Sequence, residues 1–139
     1  MRRRLFGALI SLLLVASVDA ADAPALKAGV FDPPRQAPDF ALQGSDGHDL
    51  KVSQYRGKVV LLAFGFTSCA DVCPTTLATF AQTRKQLGAA AAADVQVVYI
   101  TVDPERDVPE RMKKYLAGFD PSFIGGSGSP AQLASKPAR

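Results

Sequence analysis

The sequence predicts an α/β domain in which parallel strands alternate with helices. Three observations carry that prediction. Lys58-Val59-Val60-Leu61-Leu62-Ala63-Phe64-Gly65-Phe66 is a continuous apolar run behind one lysine, and Val95-Gln96-Val97-Val98-Tyr99-Ile100-Thr101-Val102 is a second apolar stretch. Runs of this kind mark strands buried on both faces, as strands of a helix-covered parallel sheet are. Each run is followed by a stretch of helical periodicity, and strand, helix, strand, helix in that order implies right-handed crossovers.

In chain order, residues 1–20 read as an export signal. Arg2, Arg3 and Arg4 precede an apolar stretch at 5–18, and Val18-Asp19-Ala20 offers a small-residue cleavage site before Ala21. The stretch falls short of the roughly 20 residues that a membrane-spanning helix needs, which favours a cleaved signal over an uncleaved anchor. In either case the arginines stay on the cytoplasmic side. The expected location is the periplasm or the outer face of the inner membrane, with the N-terminal segment as a route to membrane association.

Residues 21–38, rich in Ala and Pro and including Asp32-Pro33-Pro34, read as an extended tether, and the domain is expected over 39–139. It opens with an N-terminal hairpin: Phe40-Ala41-Leu42 and Leu50-Lys51-Val52 flank a turn built on Asp46-Gly47. Ser53 is placed to cap the short Gln54-Tyr55 turn. After the first apolar run, Thr67 to Pro74 leads into a helix over 75–88, where Leu77, Phe80, Ala81, Arg84 and Leu87 share a face and Gly88 ends it. Ala89 to Ala93 reads as a loosely constrained helix end or loop. Pro109 to Ala117 is the second helix, with Pro in its first turn and Gly118 after it. Ser129-Pro130 opens a third helix that Lys136-Pro137 halts. With no strand after it, the domain is expected to lack its C-terminal part. The run at 59–65, expected at the sheet's centre, would then present an apolar edge to water.

At 139 residues, 47% hydrophobic and 21% charged, the chain has room for one small globular core. The net charge of +3 rests on the three arginines ahead of the apolar stretch. Without them the charges nearly balance, so no basic surface for nucleic acid is expected.

Cys69 and Cys73 are the only two cysteines. In an oxidising compartment such a pair is a disulfide, a metal pair or a redox couple. They stand four apart where a buried strand gives way to a helix, the place where α/β folds put their sites. If both lie on the helix, their Cβ atoms are about 5–6 Å apart, wider than the roughly 3.5–4.5 Å a disulfide prefers. Closing a Cys69–Cys73 disulfide would then loosen the first turn, whereas one bridging metal tolerates the gap. A helix N-terminus favours thiolate, which serves metal binding and disulfide exchange alike. Soft thiolates favour Cu(I), and an added imidazole makes Cu(II) tolerable.

The segment Lys58 to Pro74, with Cys-Ala-Asp-Val-Cys-Pro at its end, resembles the central motif of the Sco/SenC family, and Asp103-Pro104-Glu105-Arg106-Asp107 and Phe119-Asp120-Pro121 resemble two further family elements. The resemblance implies a thioredoxin-like fold, incomplete here at its C-terminus, and a copper metallochaperone that delivers to cytochrome c oxidase. It makes Cys69 and Cys73 the copper ligands, with an oxidase subunit or another copper chaperone as partner. The family's distal histidine falls beyond this chain. His48, the one histidine, sits between aspartates in the hairpin turn and reads as solvated. Asp103 and Asp107 follow a strand end and either tune the cysteines or cap the next turn. Two other readings stand beside this one: a periplasmic thiol-disulfide oxidoreductase or thiol peroxidase, and a truncated fragment without function. Reductases usually carry CxxC, and thiol peroxidases a Thr three residues before the reactive Cys. Here the spacing is CxxxC, and Thr67 is two residues before Cys69.

Overall fold

A computed structural model of the chain describes residues 29–134. The export signal, the start of the tether and the last five residues lie outside the described residues. The chain divides into two compact units, Met1–Arg35 and Gln36–Arg139, and every described helix and strand belongs to the second. In the first, the Arg35 guanidinium lies 5.0 Å over the Phe31 ring.

The second unit runs β1 (Ala41–Gly44), β2 (Asp49–Lys51), a 3-10 turn (Val52–Tyr55), β3 (Val59–Gly65), α1 (Val72–Ala93), β4 (Val95–Thr101), α2 (Pro109–Ala117), β5 (Ile124–Ser127) and α3 (Pro130–Ala134). The strands form one sheet in the order β2-β1-β5-β4-β3. β3, β4 and β5 are parallel, with Leu61 beside Val97 and Ile100 beside Gly126, while the β1–β2 hairpin joins antiparallel through β1 and β5. Leu77 and Ala81 of α1 and Met112 and Leu116 of α2 pack with Val97, Tyr99 and Phe123 into the main core on one face. A smaller cluster, Leu42, Leu50, Val98 and Ile100, lies on the other.

Three sequence expectations change. β3 is not central: among the described residues it pairs with β4 alone and forms an edge, with Val59 59% and Phe64 65% exposed. Its apolar composition shows that side chains can be buried on both faces, but not which neighbours will bury them. β5 is a strand that the sequence does not predict, because Ile-Gly-Gly-Ser carries little strand propensity. A Cβ at Gly125 would lie 2.4 Å from Met112 Cε, and one at Gly126 2.6 Å from Leu50 Cδ2, so both layers close onto backbone here. Ser53 does not act alone as a cap: its N–H and hydroxyl both donate to the Asp39 carboxylate (3.1 and 2.6 Å), tying the start of the domain to the 3-10 turn.

Gly88 does interrupt α1, with φ 73° and ψ 165°, but helix resumes over the alanines to Ala93. The turn into β4 is gripped by Arg84, whose Nη1 donates to the carbonyls of Ala92 and Val95 and whose Nε pairs with Asp120 at 3.2 Å.

Candidate metal centre

The site forms where β3 ends. From Gly65 the chain turns through Phe66 to Asp71 and enters α1 at Val72. Cys73 and Pro74 therefore occupy the first helical turn, where a missing proline N–H costs nothing. Cys69 precedes the helix, its N–H donating to the Phe66 carbonyl at 3.2 Å. The two cysteines therefore do not share a helix face. Cys69 instead folds back so that its Sγ accepts the Cys73 N–H at 3.4 Å, satisfying one of the helix's first N–H groups where Asp71, at the N-cap position, makes no side-chain hydrogen bond. Both residues are free thiols, Cys69 half-buried and Cys73 7% exposed.

This placement lowers the Cys69 pKa below the ordinary thiol range. The Cys73 side chain is the largest cause, followed by the backbone N–H groups of Asp71 and Cys73. Orphan N–H groups at a helix start stabilise negative charge in this way.

Asp107, with no exposed surface, fixes the approach to Cys69. It accepts from the Thr67 N–H at 2.8 Å, the Thr67 hydroxyl at 2.5 Å and the Thr101 hydroxyl at 2.8 Å. From α2, Arg111 donates to the Thr67 and Ser68 hydroxyls at 2.8 and 3.1 Å. Asp103 stands further out: its N–H donates to the Thr101 hydroxyl, its carbonyl accepts from the Asp107 N–H, and its carboxylate pairs with Arg106. Asp107 thus holds the cysteine turn directly, and Asp103 holds the turn that presents Asp107. Arg111 had no signal in the sequence beyond its place on a helix.

Tyr99 of β4 went unnoticed as well. Its hydroxyl is buried without a hydrogen-bond partner, as is that of Tyr115. Burial, and then the neighbouring Cys73, push the Tyr99 phenol far above its usual range. The available signal was one tyrosine among the aliphatic side chains of a buried strand, where a phenol ordinarily needs a partner.

The two cysteines are soft donors suited to Cu(I). Among the described residues no cluster of three or more His, Cys, Asp or Glu could hold a metal. His48 is exposed and lies beside β2, four strand spacings from β3. At about 4.8 Å per spacing that is roughly 19 Å across the sheet, so His48 does not join the pair.

The SCO1/SenC family model matches residues 31–136. The chain belongs to the SCO1/SenC family. It is 43% identical over 97 residues to the human mitochondrial protein SCO2 homolog, a match covering 69% of this chain and 36% of that one. Among solved structures, copper-bound ScoI of Bradyrhizobium japonicum is 40% identical with a TM-score of 0.66, over 72% of this chain and 63% of ScoI. BsSco, described as a member of the Sco family of cytochrome c oxidase assembly proteins with a disulfide switch, is 29% identical with a TM-score of 0.55, over 68% and 60%. The fold of this SCO1/SenC chain is thioredoxin-like. It spans about a third to a half of the curated relatives' lengths.

Proposed function

We propose that this chain is a copper-binding assembly factor that takes Cu(I) as cargo on the Cys69 and Cys73 sulfurs and passes it toward cytochrome c oxidase outside the inner membrane. The observation that carries the reading is the turn itself, in which one cysteine sulfur accepts the N–H of the other in the first turn of the helix. Helix-end N–H groups favour thiolate, and thiolate is the ligand Cu(I) prefers. Copper on ScoI and the described role of BsSco support extending this chemistry to the present chain. Asp107 keeps the Cys69 turn in place, with Asp103 behind it. A subunit of the oxidase or another copper chaperone is the fitting exchange partner. In an oxidising compartment the metal-free pair closes to a disulfide, so loading requires the reduced thiols. Cu(II), which gains from imidazole, is expected to bind weakly, because His48 stands apart from the pair.

Competition against a Cu(I) chelator, on the reduced full chain, tests the reading. Wild type is expected to bind one Cu(I) tightly, and Cys69→Ser and Cys73→Ser each to lose that binding. Near wild-type affinity in either variant would overturn the assignment.

A further inference from the structure

Tyr99 and Cys73 meet in a space that exists because residue 65 is glycine. A Cβ there would lie 2.3 Å from the Tyr99 hydroxyl and 2.8 Å from the Cys73 sulfur. Both side chains are closed off from water, at 1% and 7% exposure. Even so, no hydrogen bond of good geometry reaches the hydroxyl, although Cys73 lies close enough to help push the phenol pKa up. A buried hydroxyl without a partner is a cost that phenylalanine would avoid. It becomes useful if its acceptor exists only in another state of the protein. A neutral thiol accepts hydrogen bonds weakly, whereas a charged acceptor makes bonds about twice as strong as neutral ones.

We propose that the Tyr99 hydroxyl is a donor held in reserve for the Cys73 sulfur, engaged once that sulfur binds a soft cation. Tyr99 is then a positioning residue that acts through Cys73. The proposal rests on the reading that the cysteine pair binds Cu(I). It goes beyond that reading in assigning the strength of the site to a strand residue that is not itself a ligand.

The test is Tyr99→Phe in the full chain, with two measurements that a merely structural hydroxyl would move together. The melting temperature of the reduced, metal-free protein is expected to stay level or rise, because an unpaired group has been removed. Cu(I) affinity in chelator competition is expected to fall about tenfold, the order of one charge-assisted hydrogen bond. A lower metal-free melting temperature would mean that the hydroxyl already has a partner, and would overturn the proposal. So would unchanged affinity in Tyr99→Phe while Cys69→Ser abolishes binding, a result that leaves the copper reading intact. If Cys69→Ser also binds Cu(I) normally, the copper reading itself fails and the reserved donor falls with it.

Discussion

The two faces of β3 receive different treatment from the rest of the molecule. Leu61 and Ala63 point into the core beneath α1 and α2, in the same cluster as Cys73, Leu77 and Tyr99. On the opposite face only Val60 is packed, against the Leu42 cluster, while Leu62 and Phe64 are 39% and 65% exposed. Both faces are apolar throughout, so hydropathy does not separate them. The two long helices do: α1 and α2 lie over one face, while the short α3 sends only Leu133 to the cluster on the other, and the cysteine turn is built at the end of the strand on the α1–α2 side. The helix-covered face should carry the stability of the site, and the open face should carry almost none of it.

Truncation of Leu77 to Ala should separate the faces most sharply. Leu77 has no exposed surface and lies one turn beyond Cys73. The expected loss is about 3 kcal/mol in denaturant unfolding, from lost transfer energy and the cavity left behind. A loss under about 1 kcal/mol would mean that α1 is loosely seated and the contrast between the faces is false. Next in size is Asp107→Ala, which strips the acceptor from Thr67 and Thr101 on the covered side and should cost about 2 kcal/mol. It should also weaken Cu(I) binding, because the Cys69 turn loses its anchor.

A smaller effect is expected from the Arg84–Asp120 pair, which ties α1 to the segment before β5. Burial raises the Asp120 pKa, but the Ser122 hydroxyl and N–H and then Arg84 outweigh it, leaving the pKa below its usual value. A carboxylate lowered in the folded state contributes stability above its unfolded pKa of about 3.9, and that contribution is lost as pH falls through the folded value. Unfolding measured from pH 7 down to pH 2 should therefore show Asp120→Asn less stable than wild type at the neutral end and converging with it below about pH 4. A constant gap across the range would remove the charge from the account. Smallest of all is Phe64→Ser on the open face, expected within about 0.5 kcal/mol of wild type. Its visible effect should be less self-association in size-exclusion chromatography, since an exposed apolar edge strand invites pairing.

The legible parts of this fold are those written in local pattern. The β1–β2 hairpin follows from Asp46-Gly47, both buried runs are strands, and the cysteine motif falls at the strand-to-helix turn. What escaped depends on neighbours. β5 is a strand because Met112, Leu50 and Ile100 press against its glycines, and nothing within Ile-Gly-Gly-Ser announces that. β3 looked central because an apolar run does not name its partners. Tyr99 was hidden by the regularity of its strand: its importance lies in Gly65, thirty-four positions earlier and one strand over. The cysteines stand out by spacing, but the bond from the Cys73 N–H to the Cys69 sulfur depends on α1 beginning at Val72, three residues before the helix that the periodicity predicts over 75–88.

The run of alanines at the end of α1 looks in the sequence like filler. In the structure its carbonyls are in use: Arg84 takes that of Ala92, Lys58 takes that of Ala93 at 3.1 Å, and the Asp94 carbonyl receives the Val59 N–H. The side chains add little beyond a methyl group, so almost any small residue would serve at Ala89 to Ala93. The number of residues is another matter. Deleting one would carry each carbonyl about 100° around the helix axis and 1.5 Å along it, away from the two cations that hold the start of the sheet. The contacts made by this segment thus constrain its length far more than its composition, the reverse of an ordinary surface loop.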